Sequence, residues 1–175
     1  MTLSFNTARL NVIEVNSNAA KSERTALVKA LPSILTPAVV ANLPSYFQGI
    51  ESKLAAEEWL NKMLKECHLL MLQSSESEII GFLFVYSDNP NAHIGYLLAE
   101  QYWGKGLAFE LLHGFINLVY THPQWHKLIA GVDKSNTASV KLLNKLSFVQ
   151  QDEVINDMLF CEFDLRKEPF GEEKR

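Results

Sequence analysis

The run Ile79-Ile80-Gly81-Phe82-Leu83-Phe84-Val85-Tyr86 is apolar at every position except Gly81. Successive side chains of a β-strand point to opposite faces, so an unbroken apolar run describes a strand covered on both sides. A chain that carries it must build a sheet with layers above and below. With 175 residues there is room for one such unit. The expected organisation is a single domain over 1–175, with a core from 8 to 165 and a polar tail from 166 to 175.

The remaining segments supply the layers. ARLNVIEV (8–15) reads as a first strand. From Lys21 to Gln48 the pattern is broken, and Pro32, Pro37 and Pro44 are each expected to limit a short helix. Ser52 can cap a one-sided helix whose apolar positions are Leu54, Trp59, Leu60, Met63 and Leu64. HLLMLQ (68–73), the apolar run 79–86 and AHIGYLLA (92–99) read as strands, separated by turn-like SSES (74–77) and Asp88–Asn91. Residues 105–121 form an apolar helix whose polar stripe is Glu110, His113, Asn117 and Thr121, which predicts deep packing. A strand at 127–133, a helix at 135–146 capped by Asn136, and an antiparallel pair at 148–154 and 158–165 complete the order. The expected class is α/β, a mixed sheet with helices on its faces.

Composition narrows the partners. With 16 basic against 20 acidic residues the net charge is -4, which argues against nucleic acid and anionic membranes as partners. Cys67 and Cys161 lie in apolar stretches without a CxxC or Cys/His pattern, so they read as buried core thiols; neither a disulfide framework nor a metal site is expected. No signal-like N-terminus or run of membrane-spanning length is present, and the expected location is cytoplasmic.

The segment from Ile94 to Ala108 is a strand, a loop holding Gly104 and Gly106, and a helix N-terminus. Glycine lets a ligand approach the backbone, and the first N–H groups of a helix favour anions. This pattern fits phosphate binding, and equally a tight turn. A Walker A loop fails because Gly106 follows Lys105, and a dinucleotide fingerprint fails because Phe109 stands at its third glycine.

Trp103-Gly104-Lys105-Gly106-Leu107-Ala108 resembles the Q/R-x-x-G-x-G/A signature of the GNAT superfamily of N-acetyltransferases, with Gly106 and Ala108 at the small positions. Downstream, Asn136-Thr137-Ala138-Ser139 and Leu142–Phe148 resemble the superfamily's second motif, N-x-x-[AS]-x-x-L-Y-x-K-x-G-F. Thr7-Ala8-Arg9-Leu10 and IGYLLAxxYWGKGLAxE are similar to the branch that acetylates ribosomal-protein N-termini. The departures are Trp103 at the first signature position, Leu143 where many members carry the tyrosine that protonates the thiolate, and Ser147 for the terminal glycine.

The resemblance implies a GNAT-like domain with a mostly antiparallel sheet and helices on both faces. It implies acetyl-CoA as co-substrate, held by Tyr96, Leu98, Trp103, Gly104, Lys105, Gly106, Leu107, Ala108 and Asn136, with no metal. The acceptor is a primary amine, either a protein N-terminus or a small molecule, and the chain is a monomer or homodimer. Ser139 is the candidate acid; Asp152, Glu153 and His93 are the candidate bases, Gln151 being unable to serve. Tyr46, Phe47 and Trp59 are candidates for lining an acceptor pocket or for core packing. The alternatives are a non-catalytic acyl-CoA-binding or sensing protein and a nucleotide-binding protein using the same loop.

Overall fold

The computed structural model describes residues 2–167; the polar tail beyond Lys167 lies outside them. Among the described residues, eight strands form one sheet in the order β1-β2-β3-β4-β5-β6-β8-β7. They are β1 (Phe5–Asn6), β2 (Asn11–Glu14), β3 (His68–Gln73), β4 (Ile79–Asp88), β5 (Asn91–Leu98), β6 (Lys127–Asp133), β7 (Val149–Ile155) and β8 (Met158–Asp164). Only the β5–β6 pairing is parallel; every other neighbour pair is antiparallel. The helices are α1 (Lys21–Ile34), α2 (Pro37–Val40), α3 (Lys53–Glu66), α4 (Leu107–Thr121) and α5 (Thr137–Lys145), with single 3₁₀ turns at Ser45–Phe47 and Glu100–Tyr102.

The apolar run in β4 is buried on both faces as its sequence requires. Leu83 and Val85 join Leu70, Leu72, Ile94 and Leu98 beneath α4, whose Leu111, Leu112, Phe115, Ile116 and Val119 are buried. Phe82 and Phe84 point the other way, with Leu69, Met71 and Leu97, into a second core formed by α1 and α3. The α/β sandwich is therefore layered α1/α3, sheet, α4, with Leu143 of α5 in the α4-side cluster. Among the described residues no helix is long and apolar enough to cross a membrane.

Three local expectations change. The first strand is not continuous over 8–15: Thr7–Leu10 is a turn, closed by Thr7 N–H donating to the Leu10 carbonyl at 2.9 Å, between β1 and β2. Pro32 does not end α1 but sits in its last turn. An interior proline costs about 3 kcal/mol, whereas burial of Leu27, Val28, Leu31 and Ile34 contributes about 1.5–3 kcal/mol for each side chain. Packing wins. Leu54 is 66% exposed, because Ala56, Trp59, Leu60 and Met63 define the buried face of α3 and Leu54 falls on the opposite side. Ser52 does cap that helix, accepting from Ala55 N–H at 3.1 Å, and Cys161 is buried while Cys67 is only half-buried.

Candidate active site

The parallel strands β5 and β6 pair over three positions only, Ala92, His93 and Ile94 with Leu128, Ile129 and Ala130. Beyond them the strands diverge, although both continue, β5 to Leu98 and β6 to Asp133. The split opens a cavity of about 870 Å³ lined by Ile94–Leu98 on one wall and Ala130–Asp133 on the other. Because strand side chains alternate, it reaches both layers of the protein. Tyr96 and Leu98 lie on the α4 side, and Gly95 and Leu97 on the α1/α3 side.

The α4 side carries the glycine loop. Gly104 and Gly106 have φ +69° and +76°, the left-handed region that suits glycine, and Gly106 is the N-cap of α4. Gly104, Gly106, Leu107, Ala108 and Trp103 line the cavity, so the first turn of α4 presents its N–H groups and positive dipole end to it. The Trp103 indole donates to the Leu98 carbonyl at 2.8 Å, fastening the loop to the end of β5.

The β1–β2 turn braces this loop from behind. One Glu110 oxygen accepts from Thr7 Oγ1 at 2.5 Å and from Arg9 N–H at 2.7 Å, and the other accepts Arg9 Nε at 2.7 Å. Arg9 Nη1 then donates to the Lys105 carbonyl at 2.8 Å. Burial raises the Glu110 pKa, but the Thr7 hydroxyl and the Arg9 donors outweigh it and hold the carboxyl below its usual value. Gly114 is what lets the turn come so close: a Cβ there would sit 2.8 Å from the Phe5 ring and 2.9 Å from Thr7 Cγ2. Sequence reasoning noticed Thr7–Leu10 and the polar position of Glu110 separately; nothing local in either segment signals that they meet.

Asn136 begins α5 beside the split. Its side chain accepts Ser139 N–H at 3.2 Å, so it caps the helix while lining the cavity. Ser139 Oγ lies 2.9 Å from the Tyr96 hydroxyl, a bond from α5 to β5 within the cavity wall. Burial pushes the Tyr96 phenol above the ordinary tyrosine value, with the Ser139 bond opposing that shift. Leu143 is buried and contributes no polar atom. A phenol therefore does reach this region, but from the strand rather than from the helix position where the family motif carries it.

On the α1/α3 side the lining is apolar and aromatic: Val39, Leu43, Tyr46, Phe47, Phe84 and Tyr86. Phe47 meets Phe84 edge-on at 5.4 Å, and Trp59 lies behind both at 5.7 and 6.0 Å. Trp59 is thus core rather than lining, buried to 3% exposure, and Tyr46 and Phe47 do face the cavity. Burial drives the Tyr86 phenol well above the ordinary tyrosine range, and the Cys67 thiol near it is pushed up to about 11. Sequence reasoning missed Phe84 and Tyr86 because lining residues of a buried strand look like core.

The structure does not bring the other sequence candidates into the lining. Lys105 is exposed and outside the lining, its Nζ 5.3 Å above the ring of Tyr102, which is part of it. His93 belongs to the paired stretch of β5, before the split, with Nε2 3.7 Å from Asp88 Oδ2. Asp152 and Glu153 are exposed on edge strand β7, separated from β6 by β8. The cavity's carboxylate is instead Asp133, whose Oδ1 accepts from Ser135 N–H at 2.8 Å and Ser135 Oγ at 2.6 Å, which holds its pKa low.

A split parallel pair opening on a helix N-terminus defines a class, and residues 28–149 match the family model described as an acetyltransferase (GNAT) domain. The chain belongs to the GNAT acetyltransferase family. It is 39% identical over 77 residues to an uncharacterised N-acetyltransferase, p20, of Bacillus licheniformis, an overlap of 44% of this chain and 43% of that protein. Across such curated relatives the matched region is between 43% and 65% of their length. The fold superposes on the RimL ribosomal alpha-N-protein acetyltransferase in complex with coenzyme A, with TM-score 0.73 and 15% identity, over 90% of this chain and 95% of that one. It also superposes on a chimera of the Vibrio cholerae spermidine N-acetyltransferase, with TM-score 0.70 and 18% identity, over 91% and 97% of the two chains. At these identities the likeness is one of fold.

Proposed function

We propose that the protein transfers an acetyl group from acetyl-CoA to a primary amine by direct attack. The observation that carries this reading is the split between β5 and β6, which opens onto left-handed Gly104 and Gly106 at the N-terminus of α4. The parts fit the donor. The loop and first turn of α4 offer N–H groups to the pyrophosphate. The β6-facing edge of β5, from Gly95 to Leu98, lacks a strand partner there and offers backbone groups to the amides of the pantetheine arm. Asn136 stands where that arm would reach α5.

Bound acetyl-CoA supplies a thioester carbonyl and a thiolate leaving group. Ser139 is positioned to give sulfur its proton, and the Tyr96 phenol, 2.9 Å away, to replace the one Ser139 gives up. The raised pKa of Tyr96 suits a group that passes a proton on and is not left ionised. The acceptor is an amine on a protein N-terminus, as for the RimL neighbour, or on a small molecule, as for the spermidine enzyme.

The test is thermal unfolding with acetyl-CoA against ATP and NADH. Saturation at about 100 times Kd adds about 2.7 kcal/mol, or roughly 5–10 °C for a chain of this size. Absence of a shift with acetyl-CoA alone refutes the donor site. The competing reading, an acyl-CoA sensor, draws on Leu143 in place of the motif tyrosine. It predicts the same shift with no CoA release from any amine.

A further inference from the structure

Ile94 and Ala130 are the last pair in the parallel register of β5 and β6, and the next residue on each strand is a glycine, Gly95 and Gly131. Both line the cavity. They also share a face. Ala130 and Val132 belong to the α4-side core and Leu97 to the α1/α3 core, so strand alternation turns Gly131 and Gly95 toward the α1/α3 side. Where the two strands part, that side of the sheet carries no side chain from either of them.

The ordinary reasons for glycine do not account for this pair. Positive φ occurs at Gly49, Gly104 and Gly106 and not here. Packing explains Gly81, where a Cβ would run into the Leu97 carbonyl oxygen, and Gly114, beneath Phe5 and Thr7. A Cβ on Gly95 would meet only Phe84 Cδ2, at an ordinary 3.9 Å. One on Gly131 would come 3.3 Å from Phe160 Cε1 and 3.5 Å from Met158 Cε, side-chain ends that a small movement clears. Gly95 is half-buried and Gly131 exposed. Glycine inside a strand is a destabilising choice relative to alanine, and at Gly95 neither dihedral nor packing requires it. Close approach of a ligand is the remaining use of a bare strand position.

The glycine loop and the first turn of α4 lie on one side of the split, and the aromatic wall lies on the other. A nitrogen arriving from the aromatic side meets a thioester in the split across Gly95 and Gly131. We infer that this bare pair is the passage through which acceptor and thioester meet, and that it sets how much bulk the acceptor carries at the carbon bearing its amine. Each missing Cβ leaves the room of a methyl group, so a substituent on that carbon is accommodated. The inference rests on the acetyltransferase reading and deepens it by naming the positions that set acceptor choice. In the transfer the nitrogen lone pair forms the N–C bond and the C–S bond breaks with its electrons on sulfur. The proton lost by nitrogen balances the one gained by sulfur.

The experiment compares the full chain with Gly95→Ala and Gly131→Ala, reading CoA release from acetyl-CoA at one pH. The acceptors are glycinamide, alaninamide, tetrapeptides that begin with Gly or Ala, and spermidine. Each Gly/Ala pair differs by one methyl group at the carbon bearing the amine, and the amides and peptides separate a small molecule from a polypeptide as its source. Wild type should use the Ala acceptors as well as the Gly ones. Gly95→Ala should keep its Tm and its acetyl-CoA Kd, because the added methyl faces away from the donor side and the backbone groups stay in place. Its kcat/KM for the Ala acceptors should fall on the order of 100-fold, the loss that a displacement of about 1 Å at the reacting atoms produces. One methyl group discriminates about 10-fold or more, so the Ala-to-Gly ratio should fall by at least that factor. Gly131→Ala should lower the same ratio by less, since Phe160 and Met158 yield on an exposed part of the strand. An unchanged ratio in either variant overturns the inference. So does a raised acetyl-CoA Kd with kcat retained, which would give the bare space to the donor, and so does a wild type that accepts glycinamide, the Gly peptide or spermidine but neither Ala acceptor. All three leave the transferase reading standing. Acetyl-CoA binding with no CoA released from any of these amines removes that reading, and the inference falls with it.

Discussion

On the α4 side of the split sheet the cavity is bounded by the glycine loop and a helix N-terminus, and on the α1/α3 side by aromatic side chains. The first half includes left-handed Gly104 and Gly106, the opening turn of α4 and the edge of β5 beyond its pairing with β6. The second consists of Phe47, Phe84, Tyr46 and Tyr86. Backbone geometry tolerates few residue types, so the first half leaves a motif wherever it occurs. An aromatic wall is met by any large ring on a buried face, so the second can vary freely while the sheet stays the same. The expected division is that donor recognition is set by one half and acceptor choice by the other.

The strongest test of that independence is Trp59→Ala. The indole supports Phe47, Phe82 and Phe84 at ring distances of 5.7, 5.6 and 6.0 Å. Removing it should cost about 3–5 kcal/mol, a fall of roughly 6–20 °C in Tm. In the folded fraction at lower temperature the acceptor KM should rise and the acetyl-CoA Kd stay constant. Equal losses on both sides would mean that the two halves behave as one.

The converse variant is Ala108→Asp, in the first turn of α4 and on the cavity wall. A carboxylate there is favoured by the helix dipole, so the unliganded protein should gain about 0.3–1 kcal/mol. The same charge opposes a pyrophosphate, and acetyl-CoA affinity should fall on the order of 100-fold. Stability and binding then move in opposite directions, which misfolding cannot mimic. Isothermal titration with the variant checks it, and unchanged affinity would move the phosphates off this loop.

On the α4 side of the split, at the start of α5, stands the Tyr96–Ser139 bond. Ser139→Ala should lower kcat about 100-fold and Tyr96→Phe about 10-fold, with the acetyl-CoA KM unchanged in both. Groups acting in series are not additive, so the double variant should be no slower than Ser139→Ala alone. Multiplied losses in the rate measurements would assign the two hydroxyls separate tasks.

How much of this was legible follows the same division. The buried β4 run, the capped helices at Ser52 and Asn136, and the glycine loop were readable because each rests on a local rule of strand alternation, capping or dihedral freedom. Pro32 misled because four buried aliphatic side chains outweigh a local penalty. Phe84 and Tyr86 were invisible as lining because the divergence of β5 from β6 beyond Ile94 is a tertiary event. His93, Asp152 and Glu153 have suitable chemistry, but register and strand order keep them from the cavity, and neither can be read from residue type.

The brace behind the loop gives the finest probe of how the donor half is held. Glu110 gathers Thr7 Oγ1, Arg9 N–H and Arg9 Nε, and Arg9 carries the connection on to the Lys105 carbonyl. Glu110→Gln keeps an acceptor but loses the charge, and should cost about 1 kcal/mol at pH 7. The carboxyl's folded pKa is below its ordinary value of 4.5. Its stabilising contribution is therefore present in full above the unfolded pKa and is lost as pH falls through the lower, folded value. The Tm difference between wild type and Glu110→Gln should accordingly be constant from neutral pH down to about 5 and shrink below that. A difference that persisted unchanged in acid would assign the effect to shape rather than charge. If the acetyl-CoA Kd rises while the acceptor KM does not, the brace belongs to the donor half alone; if both move, the N-terminal turn ties the two halves together through α4.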